Sequence, residues 1–335
     1  MSVLRIAVDV MGGDFGEKAT IPAVLTLANQ YPDIQFQLYG DSAVHAESIH
    51  AFPDNILFVL AEDNVSMSDS PVYALRHKRQ SSMAKIIQAV ANGEADGCIS
   101  AGNTGALMAM GLHYLKTYKG IDRPALCQAL PTAKTPSYMV DLGANVDCSP
   151  AQLQQFAYLG VALCSVLNKH IESPSVRLLN VGSEALKGSA LIQETAECLQ
   201  QTKTLNYQGF IEGNEIYQGI ADVIVCDGFA GNVALKASEG VARFVTNSFK
   251  KICHRTVYTR LMALLSKPML RRWQAEMNPD RYNGAYLLGL QGTVVKSHGA
   301  ANQQQFTYAL DMLVQQLQKQ NICSMDTSLK AVMTS

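Results

Sequence analysis

The sequence lacks any strong excess of charge and any long apolar run. Charged residues make up 16% of its 335 residues, and the formal net charge is −1. A chain this close to neutral has no bulk field that attracts a charged polymer, so no nucleic-acid partner is expected. No stretch reaches the roughly 18 uninterrupted apolar residues of a membrane span, and the first residues lack a signal-peptide layout. We therefore expect a cytoplasmic protein.

The eight cysteines lack the spacing of a disulfide framework or a zinc site. None forms a Cys-x-x-Cys pair, and Cys98, Cys164 and Cys226 stand in apolar runs. Such thiols are typical of small, reduced core residues in the cytosol. No metal site and no cofactor is predicted.

Three common catalytic signatures are also missing. The sequence contains no P-loop motif, no Gly-x-Gly-x-x-Gly after the first strand and no Gly-x-Ser-x-Gly elbow. These absences argue against a standard nucleotide-binding loop, a standard dinucleotide site and an α/β-hydrolase nucleophile.

Short apolar runs that alternate with helical patterns predict an α/β fold. Strand patterns cover 4–10, 34–38, 56–60, 97–100, 125–130, 138–141, 176–181, 207–211 and 222–226, and helical patterns cover 17–29, 83–91, 104–116, 151–168 and 189–200. Several strands are continuously apolar, which favours a mostly parallel, doubly wound sheet with helices on both faces. We expect one α/β domain over residues 1–335.

Loops rich in glycine and asparagine follow five of these strands. Because sites in such folds form beyond the carboxyl ends of strands, we expect the five loops to converge on one edge and line one pocket. Their backbone donors suit an anion, although single loops of this kind are also ordinary turns or helix caps. The candidate phosphate- or substrate-binding residues are Asp9, Gly12, Gly13, Asp14, Ser100, Gly102, Asn103, Thr104, Asp141, Asn145 and Gly231.

Two residues in these loops carry the chemistry that a reaction would need. Lys187, at the mouth of a helix, supplies a cation that could hold the bound anion. Asn232 offers a side-chain amide to a developing oxyanion. A solvated surface lysine is the plain alternative for Lys187.

A basic segment with no acidic residue lies between Glu239 and Glu276. Leucine and methionine recur at roughly helical spacing between its charges, which predicts a basic amphipathic helical hairpin inserted at 240–275. It is a candidate for a membrane or partner contact, with a dimer-forming helix pair as the alternative. The residues concerned are Lys250, Lys251, Arg255, Leu261, Leu264, Leu265, Arg271 and Arg272.

Six ordered motifs, covering about residues 4–315, resemble those of PlsX-type phosphate acyltransferases. They read DVMGGD at 9–14, SAGNTGA at 100–106, VDLGAN at 140–145, NVGSEALKG at 180–188, GFIEGN at 209–214 and DGFAGN at 227–232. The essential lysine and asparagine of that family match Lys187 and Asn232. Ser183 departs from the acidic residue that relatives commonly carry, which leaves no role implied for that position.

The resemblance implies a homodimer with a fold similar to phosphotransacetylases and to isocitrate and isopropylmalate dehydrogenases. It also implies the conversion of acyl carrier protein thioesters and inorganic phosphate into acyl phosphate, which feeds bacterial phospholipid synthesis. The basic segment would then meet the inner membrane surface, a membrane acyltransferase or the acidic carrier protein. The chain length of the acyl group is not implied.

Three other readings stay open at this stage. A phosphotransacetylase-like enzyme would use coenzyme A thioesters in the same kind of pocket. An NAD-dependent β-decarboxylating dehydrogenase would need clustered metal-binding aspartates, for which the spacing of Asp222 and Asp227 is unpersuasive. A phosphate- or lipid-binding scaffold at the membrane would carry no reaction.

Overall fold

A computed structural model describes residues 3–42, 52–184, 186–276, 279–320 and 324–334. Its described strands form one eleven-stranded sheet in the order β3-β2-β1-β4-β11-β10-β5-β6-β9-β7-β8. The strands are β1 (Leu4–Asp9), β2 (Ile34–Gly40), β3 (Ile56–Leu60), β4 (Gly97–Ser100), β5 (Ala125–Leu130), β6 (Ser137–Val140), β7 (Ser175–Leu179), β8 (Asn206–Ile211), β9 (Val223–Val225), β10 (Ala285–Leu288) and β11 (Thr293–Lys296).

Helices connect these strands and cover the sheet. They are α1 (Glu17–Gln30), α2 (Pro71–His77), α3 (Ser82–Ala91), α4 (Thr104–Tyr114), α5 (Pro150–Leu167), α6 (Ala190–Gln201), α7 (Gly228–His254), α8 (Val257–Leu265), α9 (Lys267–Glu276), α10 (Gln303–Gln320) and α11 (Met325–Thr334). Short 3-10 turns lie at Ile216–Gln218 and Pro279–Tyr282.

The sheet consists of two parallel halves that run in opposite directions. Strands β1, β2, β3, β4 and β11 are mutually parallel, and so are β6, β7, β8 and β9. Between the halves, the pairs β11–β10, β10–β5 and β5–β6 are all antiparallel. Because three antiparallel pairs separate them, the strands of the second half run antiparallel to those of the first. The sheet is nevertheless mostly parallel, as predicted.

Apolar side chains cover both faces of the sheet. On one face, Phe36, Phe156 and Phe306 are fully buried in one continuous cluster. On the other face, Met83 and Leu107 belong to a second cluster. In β1, Ile6 and Val8 point into the first cluster and Ala7 into the second, as the two-residue period of a strand requires. The predicted α/β class with helices on both faces is confirmed.

Helix α7 is long and weakly covered by the rest of the chain. It has 27 residues, of which only Gly228 and Gly231 are buried. The segment 240–275 lies within α7, α8 and α9, and the side chains of Arg271 and Arg272 lie outside the described part of the structure. Across the described residues, no helix combines the length and apolar character that crossing a membrane requires.

Candidate active site

The five glycine- and asparagine-rich loops do not converge on one edge of the sheet. The loops after β1 and β4 lie at one edge, and those after β6, β7 and β9 lie at the opposite edge, because the two halves of the sheet run in opposite directions. In addition, β1 and β6 are five strand positions apart, about 24 Å at the usual spacing. The single pocket expected within one chain is therefore wrong.

We call the loops after β1, β4 and β11 the first edge. Its centre is Asp9, which is buried at the end of β1. The hydroxyls of Ser82 and Ser100 each donate to the Asp9 carboxylate at 2.6 Å, and the Met11 amide donates at 3.2 Å. Burial raises the pKa of Asp9, and these hydrogen bonds partly offset that rise. The carboxylate thus takes up donors that the sequence suggested for an external anion.

Glycines let the loops of the first edge approach one another closely. A β-carbon on Gly12 would lie 2.8 Å from the Gly102 amide nitrogen, and one on Gly13 would lie 2.8 Å from the Gly299 carbonyl oxygen. The Asp14 amide also donates to Gly299 at 2.8 Å. No side chain fits at these two glycines without a shift of the backbone.

Asn103 and Thr104 begin α4 at the same edge. The Asn103 side chain caps the helix by accepting from the Ala106 amide at 3.1 Å. Its amide also donates to the carbonyls of Met67 and Asp69, at 3.0 and 2.9 Å. Asn103 therefore joins α4 to the loop before α2, and its hydrogen-bonding groups are largely occupied.

Lys296 is a buried cation at the first edge that the sequence reasoning missed. It ends β11, and its ammonium donates to the carbonyls of Ala101, at 3.2 Å, and Ser297. Burial lowers the pKa of Lys296 to about 8, against the raising effect of Asp9 and Asp14. A lysine directly after the apolar run Thr293–Val295 was the available signal, because an ion at a strand end is costly to bury without a purpose.

We call the loops after β6, β7 and β9 the second edge. Asp141 is fully buried there, and its carboxylate accepts from the amides of Leu126 and Asn145 at 2.9 and 2.6 Å. The Asn145 side chain donates to Asp141 at 3.0 Å and to the Pro124 carbonyl at 2.9 Å. Burial raises the pKa of Asp141, and its backbone hydrogen bonds lower it. These two residues brace the loop.

Helix α7 begins against this braced loop. The Gly228 amide donates to the Asn145 carbonyl at 2.8 Å, and Asp227 caps the helix by accepting from Ala230 at 2.8 Å. Gly231 packs so tightly on the Asp141 carbonyl that a β-carbon would collide with it. This contact fixes the position of the next residue, Asn232.

Asn232 is half-buried and faces the loop after β6. A β-carbon on Gly143 would lie 3.5 Å from the Asn232 β-carbon and amide carbon. Among the described residues, its side-chain amide makes no hydrogen bond. A held but unengaged amide donor can bind a carbonyl oxygen that gains charge.

Lys187 lies in the loop after β7, the strand that pairs with β9. Asn180 holds this loop by donating to the carbonyls of Gly182 and Lys187, at 3.0 and 3.1 Å. The exposed Lys187 ammonium contacts Glu184 at 2.7 Å, and this hydrogen bond raises the pKa of Lys187. Lys187, Asn232, Asp141, Asn145 and Gly231 therefore share the second edge, while the other predicted loop residues share the first.

Of the residues predicted for a membrane or partner contact, Lys250 lines a groove together with Phe15 and His298 from the first-edge loops. Lys250 and Lys251 lie in the last two turns of α7, Arg255 follows it, and all three are exposed. In α8, Leu261, Leu264 and Leu265 are exposed by 54%, 64% and 67%.

The eleven-stranded sheet and its covering helices form an α/β fold that is similar to that of solved phosphotransacetylases. A solved structure of a phosphotransacetylase from Streptococcus pyogenes matches with a TM-score of 0.61, covering 99% of this chain and 94% of that one at 14% identity. A putative 4-hydroxythreonine-4-phosphate dehydrogenase from Salmonella typhimurium matches with a TM-score of 0.57 at 10% identity, covering 94% of this chain and all of that one. At such identities the likeness shows the fold alone.

Sequence relatives identify the family. The family model described as fatty acid synthesis protein matches residues 4–325. A protein from Saccharophagus degradans named phosphate acyltransferase is 47% identical over 315 residues, which cover 93% of this chain and 92% of the relative. The chain belongs to this family of acyltransferases.

Proposed function

We propose that this protein transfers the acyl group of an acyl carrier protein thioester to inorganic phosphate. The products are acyl phosphate and the free carrier thiol, and the acyl phosphate supplies bacterial phospholipid synthesis. The family description and the relatives' name support the reaction class. The observation that carries the proposal to particular residues is the unengaged amide of Asn232 near the start of α7. This helix follows β9, and β9 pairs with β7, the strand that precedes the Lys187 loop.

The chemistry asks for alignment more than for acid–base catalysis. Phosphate is already an anion at neutral pH, so one of its oxygens can attack the thioester carbonyl carbon without a strong base. In our proposal, Lys187 holds the phosphate, releasing Glu184 as it does so. Asn232 donates to the oxyanion of the tetrahedral intermediate. Collapse of the intermediate breaks the carbon–sulfur bond, and the carrier thiolate takes a proton from water.

The acyl donor can be tested directly. Phosphate-dependent thiol release would be measured with acyl carrier protein and coenzyme A thioesters of the same acyl group. We expect a kcat/KM at least about tenfold higher for the carrier protein than for coenzyme A. The reason is that the exposed cations Lys250, Lys251 and Arg255 offer complementary charge to an acidic protein. Equal or better use of coenzyme A would favour the phosphotransacetylase-like alternative.

We also propose a homodimer formed through the outer face of α7. This face presents Phe244 and Ile252 to solvent, on a helix that the rest of the chain scarcely covers. Exposed apolar area of this kind is typical of a subunit interface. The rim of the second edge adds the exposed side chains of Val181, Leu186 and Phe229.

A homodimer would also resolve the separation of the two edges. Within one chain, the Asp9 and Lys187 loops are too far apart to bind one small substrate. We propose that the second edge of one subunit faces the first edge of its partner, so that each active site draws on both chains. The predicted roles of Gly12, Gly13, Gly102 and the other first-edge residues are then to line the far wall of that site.

For α8 and the end of α7 we propose contact with an anionic membrane surface. Exposed leucines stand beside the exposed cations Lys250, Lys251 and Arg255, which is the arrangement of an interfacial helix. Flotation with vesicles of anionic lipid should carry the wild type, whereas the variant L264E/L265E should stay at the bottom. Flotation of both alike would reject the membrane contact.

A further inference from the structure

An apolar groove of about 600 Å³ lies beside α7, between this helix and the end of β5. One wall is formed by Leu235, Ala242 and Val245 of α7, and the other by Leu130, Pro131 and Tyr217 from the end of β5 and the turn before β9. Glu239 is the one charged residue among the described residues lining it. Its volume lies within the ~300–1,000 Å³ of small-molecule sites.

We propose that this groove binds the saturated alkyl chain of the acyl substrate. The inference rests on the proposed acyl transfer. It gives a binding site to the alkyl chain, whereas the loops of the two edges bind the phosphate and the thioester carbonyl. The lining suits a hydrocarbon chain, since most of its side chains are apolar. Its charged residue, Glu239, is paired with Arg243 at 3.7 Å, which lowers the cost of covering the carboxylate.

One end of the groove lies near the proposed oxyanion donor, because Leu235 lines the groove. Leu235 follows Asn232 by three residues, so the two side chains are neighbours on the same side of α7. From Asn232 to Val245 the helix rises about 20 Å, which is comparable to an extended long-chain acyl group. An acyl carbonyl held at Asn232 can therefore direct its alkyl chain along α7 and into the groove.

The opposite flank of α7 is unsuited to the same ligand. A second groove there, of about 680 Å³, is lined by Arg243, Lys250 and His298 together with several amide side chains. Burying an alkyl chain against these groups would strip their hydration without replacing it. The exposed outer face around Phe244 lies on neither groove, so a subunit contact through that face leaves the apolar groove for a ligand.

Filling the groove should change which acyl chains the enzyme accepts. Ala242→Phe and Val245→Trp place bulk at the far end, and Gln200→Trp is the control at an exposed position of α6 that lines neither groove. Rates would be compared for octanoyl and palmitoyl carrier protein thioesters. Each methylene excluded from the groove forfeits about fourfold in binding. We expect the palmitoyl-to-octanoyl ratio of kcat/KM to fall at least about tenfold in both groove variants and to stay unchanged in the control.

A binding measurement keeps the inference separate from the reaction. Cis-parinaric acid, a fluorescent fatty acid, should bind the wild type and Gln200→Trp and be displaced by palmitate. It should bind both groove variants at least about tenfold more weakly. If the wild type makes no acyl phosphate but the probe binds as described, the proposed function is rejected and the groove remains a binding site for an alkyl chain. The inference would be overturned if folded groove variants kept the wild-type chain preference and the wild-type affinity for the probe. It would also be overturned if these variants changed only the oligomeric state of the protein.

Discussion

Gly231 packs against the main-chain carbonyl oxygen of Asp141 with no room for a side chain between them. This contact joins the start of α7 to the loop after β6, and it sets where the Asn232 amide stands. The second edge is therefore organised by a backbone contact as much as by its polar side chains. The consequence can be tested within one helix, because α7 also contains Gly240, a glycine with open space around it.

Gly231→Ala should destabilise the protein and displace Asn232. A methyl group forced into a packed contact typically costs about 1–3 kcal/mol. Gly240→Ala is the matched control, since no atom lies within 4 Å of a β-carbon at that position. It should stabilise the protein by about 0.5–1 kcal/mol through helix propensity. Urea unfolding of both variants measures the difference, and equal stabilities would contradict the packing described here.

Asn232→Ala and Lys187→Ala should affect different kinetic constants. Removing an oxyanion donor typically costs about 10²–10³ in kcat, so Asn232→Ala should lower kcat with little change in KM for phosphate. Lys187→Ala should instead raise KM for phosphate at least about tenfold, because it removes the cation that holds the ground-state anion. Steady-state kinetics over a range of phosphate concentrations separates the two. Wild-type kinetics in either variant would remove that residue from the mechanism.

Lys296 should make stability depend on pH in the alkaline range. Its folded-state pKa of about 8 lies below the ordinary value of 10.5, so the folded protein releases this proton first. The cost of the buried charge is fully present below pH 8 and is relieved as pH rises from 8 to 10.5. The stability of the wild type relative to Lys296→Met should therefore rise over that window.

Urea unfolding at several pH values measures this slope. Lys236→Met is the control, because it removes a lysine of the same kind from an exposed position on α7. A flat difference for Lys296→Met would show that the ammonium is not buried at cost.

Mixed dimers should test whether active sites draw on both edges from different subunits. Asn232→Ala disables the second edge, and Asp9→Asn, a near-isosteric change, disables the first. Each variant alone should be inactive, with Asp9→Asn shown to be folded by its thermal transition. Co-refolding the two should restore activity, because one of the two sites in a mixed dimer would then be intact. Mixtures as inactive as the separate variants would place each site within one chain.

The strands were predictable because their composition is local. Ile56–Leu60, Gly97–Ser100 and Ala125–Leu130 are found at the predicted bounds, since each is a short apolar run closed by turn-forming residues. Helix α2 is absent from the predicted helices, because its seven residues are too short to show a clear helical period.

Strand direction was not predictable in the same way. Whether β5 pairs with β6 and β10 in antiparallel fashion depends on contacts between distant parts of the chain, and no residue of β5 records it. That direction decides which loops share an edge. The sequence therefore suggested the candidate residues one by one, but it did not predict which of them lie together at the same edge. Lys296 escaped notice for a related reason, because its burial arises from three loops that meet only in the folded chain.

The most direct test of the account is the formation of acyl phosphate from purified acyl carrier protein thioester and inorganic phosphate. Hydroxylamine added to the reaction converts an acyl phosphate into a hydroxamate that can be quantified. We predict phosphate-dependent hydroxamate in an amount equal to the carrier thiol released, with almost none from Asn232→Ala in the same time. Thiol release without phosphate-dependent hydroxamate, or no release at all, would contradict the proposed reaction.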